Sequence, residues 1–170
     1  RLGEVLHMEW EDFDEKTGVW TMRSKPRCPT FFGLGWKPKW GKLRQVPLFD
    51  EAIELLERMP RQDKVYGTVP VRDENKEIIR YDFYPANFVF PIKVVDGKSG
   101  KVGYCRVNCI RNGWESLKKQ ARVENLQLKD LRTYFNHILK TNYNFTSKEA
   151  GAYIGNNEVV NELHYSPYHE

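Results

Sequence analysis

The chain has 170 residues, 40% of them hydrophobic and 14% aromatic, enough to bury a core and too much for a disordered tail. It contains no run of eighteen apolar residues and no signal peptide opens it, so no membrane-spanning helix is expected, and a cytoplasmic protein is expected. A net charge of +4 and a pI near 8.9 lean toward a polyanionic partner. Cys28, Cys105 and Cys109 are odd in number and lack metal-site spacing. They read as reduced thiols, with no metal or other cofactor implied. The length fits one domain. The first residue is Arg1, not methionine, so the sequence is expected to be a fragment of a longer chain.

Residues 1–14 read as a helix running into a turn, with Leu2, Val5, Leu6 and Trp10 on one face and Glu4 one turn beyond Arg1. Gly18 closes the turn that follows. Residues 19–23 and 43–49 read as strands joined by a long connection rich in Pro, Gly, Lys and aromatics. Asp50 caps a helix that Pro60 closes. The pattern over 62–87 is weak and fits a hairpin or an irregular insertion. Residues 88–95 and 102–107 read as strands around a turn at 96–100. Helices follow. Ile110, Trp114, Leu117 and Ala121 mark one, and 128–140 is the next. Thr146 and Glu149 form a capping box for a short helix ending at Gly155, and Asn157 starts a last helix that Pro167 limits. The sum is a single α+β domain over 1–170, mostly helical, with a small antiparallel sheet near the front.

The most informative stretch is 126–165. At helical spacing Leu128, Leu131, Phe135, Ile138 and Leu139 form one stripe, and Arg132 falls at its edge with Lys129 and Asn136. A guanidinium half-sunk beside a core face is costly unless an anion meets it. That anion is either an internal carboxylate, with Asp130 or Glu4 as candidates, or a bound phosphate.

KDLRTYF, residues 129–135, resembles the HxxR box of the tyrosine recombinases, the phage-type integrases. Ile154, Gly155 and Asn156 resemble that family's LGH box, and Tyr165, nine residues after Asn156, stands where the family keeps its nucleophile. RLGEVLHMEWEDFD is similar to the family's first box, with Arg1, Glu4, Trp10 and Asp12 in register and Met8 in place of Leu. GKLRQVPL, residues 41–48, is similar to the return strand of its catalytic hairpin.

The resemblance implies DNA strand cleavage and rejoining through a 3′-phosphotyrosyl intermediate, without metal or ATP, for integration or excision of DNA. Arg1 and Arg132 would clamp the scissile phosphate, and Tyr165 would attack it. Lys25 would protonate the departing 5′ oxygen, with Lys39 the alternative when the hairpin is counted backward. Lys129 replaces the usual His of the second box, and Asn156 the usual His or Trp of the third. An amide donates to phosphate but carries no charge. Relatives act as four copies on two DNA duplexes, so a homotetramer is implied on double-stranded DNA and a monomer for this fragment, which lacks the N-terminal core-binding domain. The basic hairpin, with Lys25, Arg27, Lys37, Lys39, Lys42 and Arg44 among Phe31, Phe32, Trp36 and Trp40, fits a DNA-backbone surface.

Taken singly, each residue has a plainer reading: Arg132 as an ion-pair partner, Tyr165 as a packing tyrosine, Lys25 as a solvated charge. His137 and His164 read as surface or packing residues. Four ordered boxes at family-like spacing outweigh the single readings. Two rivals share the features: a degenerate integrase that binds DNA without cutting, and a type IB topoisomerase.

Overall fold

A computed structural model describes residues 1–30, 33–62, 65–95, 102–107 and 109–165. They fall into two compact units, Arg1–Asn108 and Cys109–Glu170.

In the first unit Arg1 precedes a single helical turn, α1 (Leu2–Val5). The expected longer helix stops there, and the chain re-forms only a short 3-10 turn at Trp10–Asp12. The segment is held instead by other backbone: Trp10 N–H donates to Asn87 O, and Val89 N–H to Met8 O, both at 2.9 Å. Strands β1 (Phe13–Asp14) and β2 (Val19–Met22) pair antiparallel, and β2 pairs with β5 (Arg44–Pro47), as the two expected strands do. The connection between β2 and β5 is itself folded. It contains a two-stranded ribbon, β3 (Lys25–Thr30) with β4 (Gly33–Trp36), and a 3-10 turn at Lys39–Gly41. Phe31 and Phe32 lie outside the described residues, as does the side chain of Trp40. Helix α2 (Asp50–Arg58) follows, stopping just before Pro60.

The weakly patterned segment is a long hairpin, β6 (Val65–Arg72) with β7 (Ile78–Pro85). It joins β8 (Pro91–Val95) and β9 (Val102–Arg106) in a four-stranded sheet of order β7-β6-β9-β8. The β6–β9 pair is parallel and the others antiparallel. Val65 and Tyr104, paired in register, turn one face onto a core of Cys28 and Phe88. Tyr66, Phe83, Cys105 and Ile92 share the opposite face, where Phe83 and Ile92 are exposed. The expected turn at 96–100 lies outside the described residues.

The second unit is helical: α3 (Arg111–Ala121), α4 (Leu128–Thr141), α5 (Ser147–Ile154) and α6 (Glu158–Tyr165). The Thr146–Glu149 capping box forms as expected, with the Thr146 hydroxyl accepting from Glu149 N–H at 3.2 Å. Leu139, Ala150 and Ile154 are its buried apolar residues. Ser166 and Pro167 lie outside the described residues, and so does the His164 side chain.

The fold is α+β, but not mostly helical: 39% of the described residues are helical and 30% are in strands. The difference comes from the ribbon, which the sequence leaves as loop, and from β6 and β7, where it fits a hairpin or an irregular insertion. Among the described residues no helix is long and apolar enough to cross a membrane.

Candidate functional site

The expected site residues divide between the two units. In the first, Arg1 stands immediately before α1, and Glu4, one turn on, is buried. The Glu4 carboxylate accepts from Arg1 Nη1 at 3.5 Å and from Arg44 Nη2 at 3.0 Å. Burial pushes the Glu4 carboxyl up, and the Arg44 and Arg1 guanidiniums oppose it. Two guanidiniums on one carboxylate leave the cluster positive, which suits an approaching anion.

Lys25 opens β3, and its side chain turns inward. Only 6% of the residue is exposed. Its ammonium lies 2.6 Å from Glu9 Oε2 and 2.6 Å from Asp12 Oδ2. The other Asp12 oxygen meets Arg23 Nε at 2.8 Å. Lys39 lies exposed in the 3-10 turn of the hairpin. Of the other hairpin cations, Arg27, Lys37 and Lys42 are exposed. Arg44 is half-buried on Glu4 and donates to the Met22 sulfur at 3.1 Å. Lys25 and Arg44 therefore face the protein, and the outward set is Arg27, Lys37, Lys39 and Lys42. Trp36 is engaged too: its ring stacks on His7 at 4.2 Å and 9°.

His7 was not singled out by the sequence. It is buried, its Nδ1–H donates to Gly3 O at 2.6 Å, and its Nε2 has no partner among the described residues. Burial pulls its pKa down to about 4, helped by the Arg106 and Lys25 charges and opposed by the bond to Gly3. The imidazole is thus neutral at pH 7, an apolar-faced plate under Trp36.

In the second unit α4 carries Lys129, exposed in its first turn, and Arg132, half-buried one turn later. Leu131 is exposed, so the expected apolar stripe is displaced, and Asn136 is buried in its stead. Helix α5 ends at Gly155, whose φ of 75° is left-handed and costs a glycine least. That ending turns the Ile154 carbonyl toward α4, where Arg132 Nη2 donates to it. Among the described residues no carboxylate pairs with Arg132. Its guanidinium carbon lies 5.6 Å from the centre of the Tyr165 ring. Arg132 Nε and Asn156 Nδ2 are both buried donors with no hydrogen-bond partner among the described residues. A buried unpaired donor is costly, and an anion's oxygens would satisfy both.

The second unit thus brings Arg132 and Tyr165 together, with Asn156 two residues beyond the carbonyl that Arg132 binds. The sequence also missed a buried amide pair, Asn136 and Asn161. Its signal was the four-residue spacing of Asn136 from Arg132, which puts both on one flank of α4.

Two solved structures share this fold. One is the integrase of transposon Tn1549 in complex with a circular intermediate DNA, with 16% identity and a TM-score of 0.63. The other is that integrase in complex with transposon right end DNA, with 15% identity and a TM-score of 0.56. Each likeness covers 98% of this chain and 50% of the integrase chain, so the sequence spans about half the length of these neighbours. No family model and no curated protein matches the chain.

Proposed function

We propose that residues 1–170 form the strand-cleaving part of a tyrosine-recombinase integrase of a mobile element, acting on double-stranded DNA. The observation that carries this is local to the second unit: Arg132, paired with no carboxylate among the described residues, lies over the Tyr165 ring and keeps a buried donor without a partner, as Asn156 does. The ordered boxes of the sequence and the fold shared with an integrase solved on DNA support the same reading.

In the reaction, the Tyr165 hydroxyl attacks a backbone phosphorus. A phosphorus–oxygen bond forms to tyrosine, the bond to the 5′ oxygen breaks, and that oxygen takes up a proton. Arg1 and Arg132 stabilise the non-bridging oxygens, and Asn156 adds a neutral donor. Lys129 takes the place of the usual histidine near the tyrosine's proton. The acid is a hairpin lysine. Lys25 is the first candidate by strand register, its ammonium enclosed by two carboxylates, and Lys39, on the exposed turn, is the alternative. The phosphotyrosyl ester retains the energy of the cut bond, so another 5′-hydroxyl reseals it without ATP. Four copies on two duplexes would exchange strands in this way.

The test is a duplex nicked beside the cleavage point, which traps the intermediate. The expected result is a covalent protein–DNA adduct, absent in Tyr165→Phe and in a folded Arg132→Ala. DNA binding with no adduct from the intact chain would favour the non-cleaving reading, to which Asn156 and Lys129 point. Relaxation of supercoiled DNA without strand exchange would favour a topoisomerase.

A further inference from the structure

Two wholly buried amides join α4 to the helix that carries the tyrosine, and the reaction above uses neither. Asn136 lies one helical turn beyond Arg132. Its Nδ2 donates to the main-chain carbonyl of Tyr165 at 2.7 Å, and its Oδ1 accepts from Asn161 Nδ2 at 2.7 Å. Asn161 stands four residues before Tyr165 on α6. Both ends of the Asn136 amide are therefore spent on α6. Tyr165 is the last described residue of α6, and Asn136 gives its carbonyl a side-chain donor from α4.

Two wholly buried carboxamides are costly in a unit whose other buried side chains, Leu139, Ala150 and Ile154, are apolar. An apolar pair of similar size would hold the helices together as well. It would not fix their register, because apolar contact has no direction while a hydrogen bond has both length and angle. Here the fixed register matters. The same face of α4 presents Arg132 to the Tyr165 ring and, one turn on, Asn136 to the Tyr165 backbone.

We propose that Asn136 is a positioning residue for Tyr165. By binding the Tyr165 carbonyl, and through Asn161 the preceding turn of α6, it sets the phenol against the Arg132 guanidinium. This rests on the cleavage reaction proposed above. In-line attack requires the phenol oxygen to be close to phosphorus, and a displacement of about 1 Å costs up to about 100-fold in rate.

Asn136→Asp keeps the size and the acceptor for Asn161 but turns a carboxylate oxygen toward the Tyr165 carbonyl. Single-turnover adduct formation is measured at saturating duplex with the intact chain. The duplex is one that the chain selects from a randomised pool, resynthesised with a nick. The expected result is a rate about 10- to 100-fold lower at saturation, with the Kd for the duplex unchanged. Asn161→Ala, which leaves the Tyr165 contact in place, should lose less. It also serves if Asn136→Asp does not fold. With 3-fluorotyrosine at position 165, the fluorine resonance should move in either folded variant. A cleaving wild type alongside folded variants of wild-type rate and unmoved resonance overturns the proposal alone. So does a loss that appears only in Kd or melting temperature, as a purely structural role requires. No adduct from the wild type overturns the cleavage reading, and this proposal with it.

Discussion

With Lys25 Nζ at 2.6 Å from both Glu9 and Asp12, removing its charge leaves two carboxylates facing each other below the surface. Breaking such a buried pair by deleting one partner costs on the order of 3 kcal/mol. Lys25→Met is therefore expected to lower the urea midpoint strongly. Lys39→Ala, on an exposed turn, should leave the midpoint within about 0.5 kcal/mol of wild type and, where Lys39 is the acid, abolish or slow adduct formation. A Lys25→Met protein that melts normally and fails only in cleavage would assign the acid role to Lys25. His7 gives the same unit a pH response. Its pKa is about 4 in the fold against an ordinary 6.5, so the unfolded chain takes up the proton first as pH falls. The stability from a neutral His7 is complete above pH 6.5 and is lost progressively from 6.5 down to about 4. At pH 5 the loss amounts to about 2 kcal/mol. Melting temperatures at pH 7 and pH 5 should differ for this reason, and His7→Phe, which keeps a ring under Trp36, should shrink the difference.

Elements of the second unit were legible because their signals are local. The Thr146–Glu149 box needs only four residues, and Gly155 marks its own helix end. The α4 stripe was legible in outline but not in detail: Leu131 is exposed and Asn136 is buried, because the partner of that flank is Asn161 and not an apolar side chain. In the first unit the long hairpin gave no alternation, since nearly every residue of β7 is exposed on both faces. The partners that make it a sheet stand far away in sequence, with Tyr66 paired to Cys105. Residues 6–12 have helical spacing, yet Met8 and Trp10 bond to Val89 and Asn87, which no local pattern announces. Of the candidate site, the boxes supply only candidate residues, whereas the inward turn of Lys25 and Arg44 depends on carboxylates that only the fold brings near. Gly67 shows how the hairpin is seated. The Tyr84 ring lies over it, so an added Cβ would fall 2.0 Å from that ring. The Tyr84 hydroxyl is 3.2 Å from Cys28 Sγ, against the core. Gly67→Ala must displace Tyr84 and is expected to cost about 1–3 kcal/mol. Tyr84→Ala/Gly67→Ala should then lose less than the two single losses added, as measured by denaturant unfolding.

At the scale of the whole molecule the question is whether +4 acts as a diffuse charge or as a surface. The exposed hairpin cations Arg27, Lys37, Lys39 and Lys42 are four in number, so changing all of them to Gln takes the net charge from +4 to zero. Changing the exposed Arg72, Lys76, Lys119 and Lys148 does the same by charge count. Each phosphate that a side chain neutralises releases a counterion and contributes about 0.9 to the slope of log affinity against log salt. If the hairpin follows the DNA backbone, the first variant should lose about 3 to 4 from that slope, and the second little. If only net charge matters, both fall alike, chiefly at low salt where screening is weak. Lys25 and Arg44 make a finer control, since both are tied to carboxylates. Arg44→Gln should leave the slope nearly unchanged while removing one of the two guanidiniums on Glu4, and any weakening of binding should then persist at high salt. Fluorescence anisotropy on one duplex over 50–300 mM salt (a range of about that width) reads all three. Equal slopes for the two quadruple variants would remove the hairpin from the DNA surface.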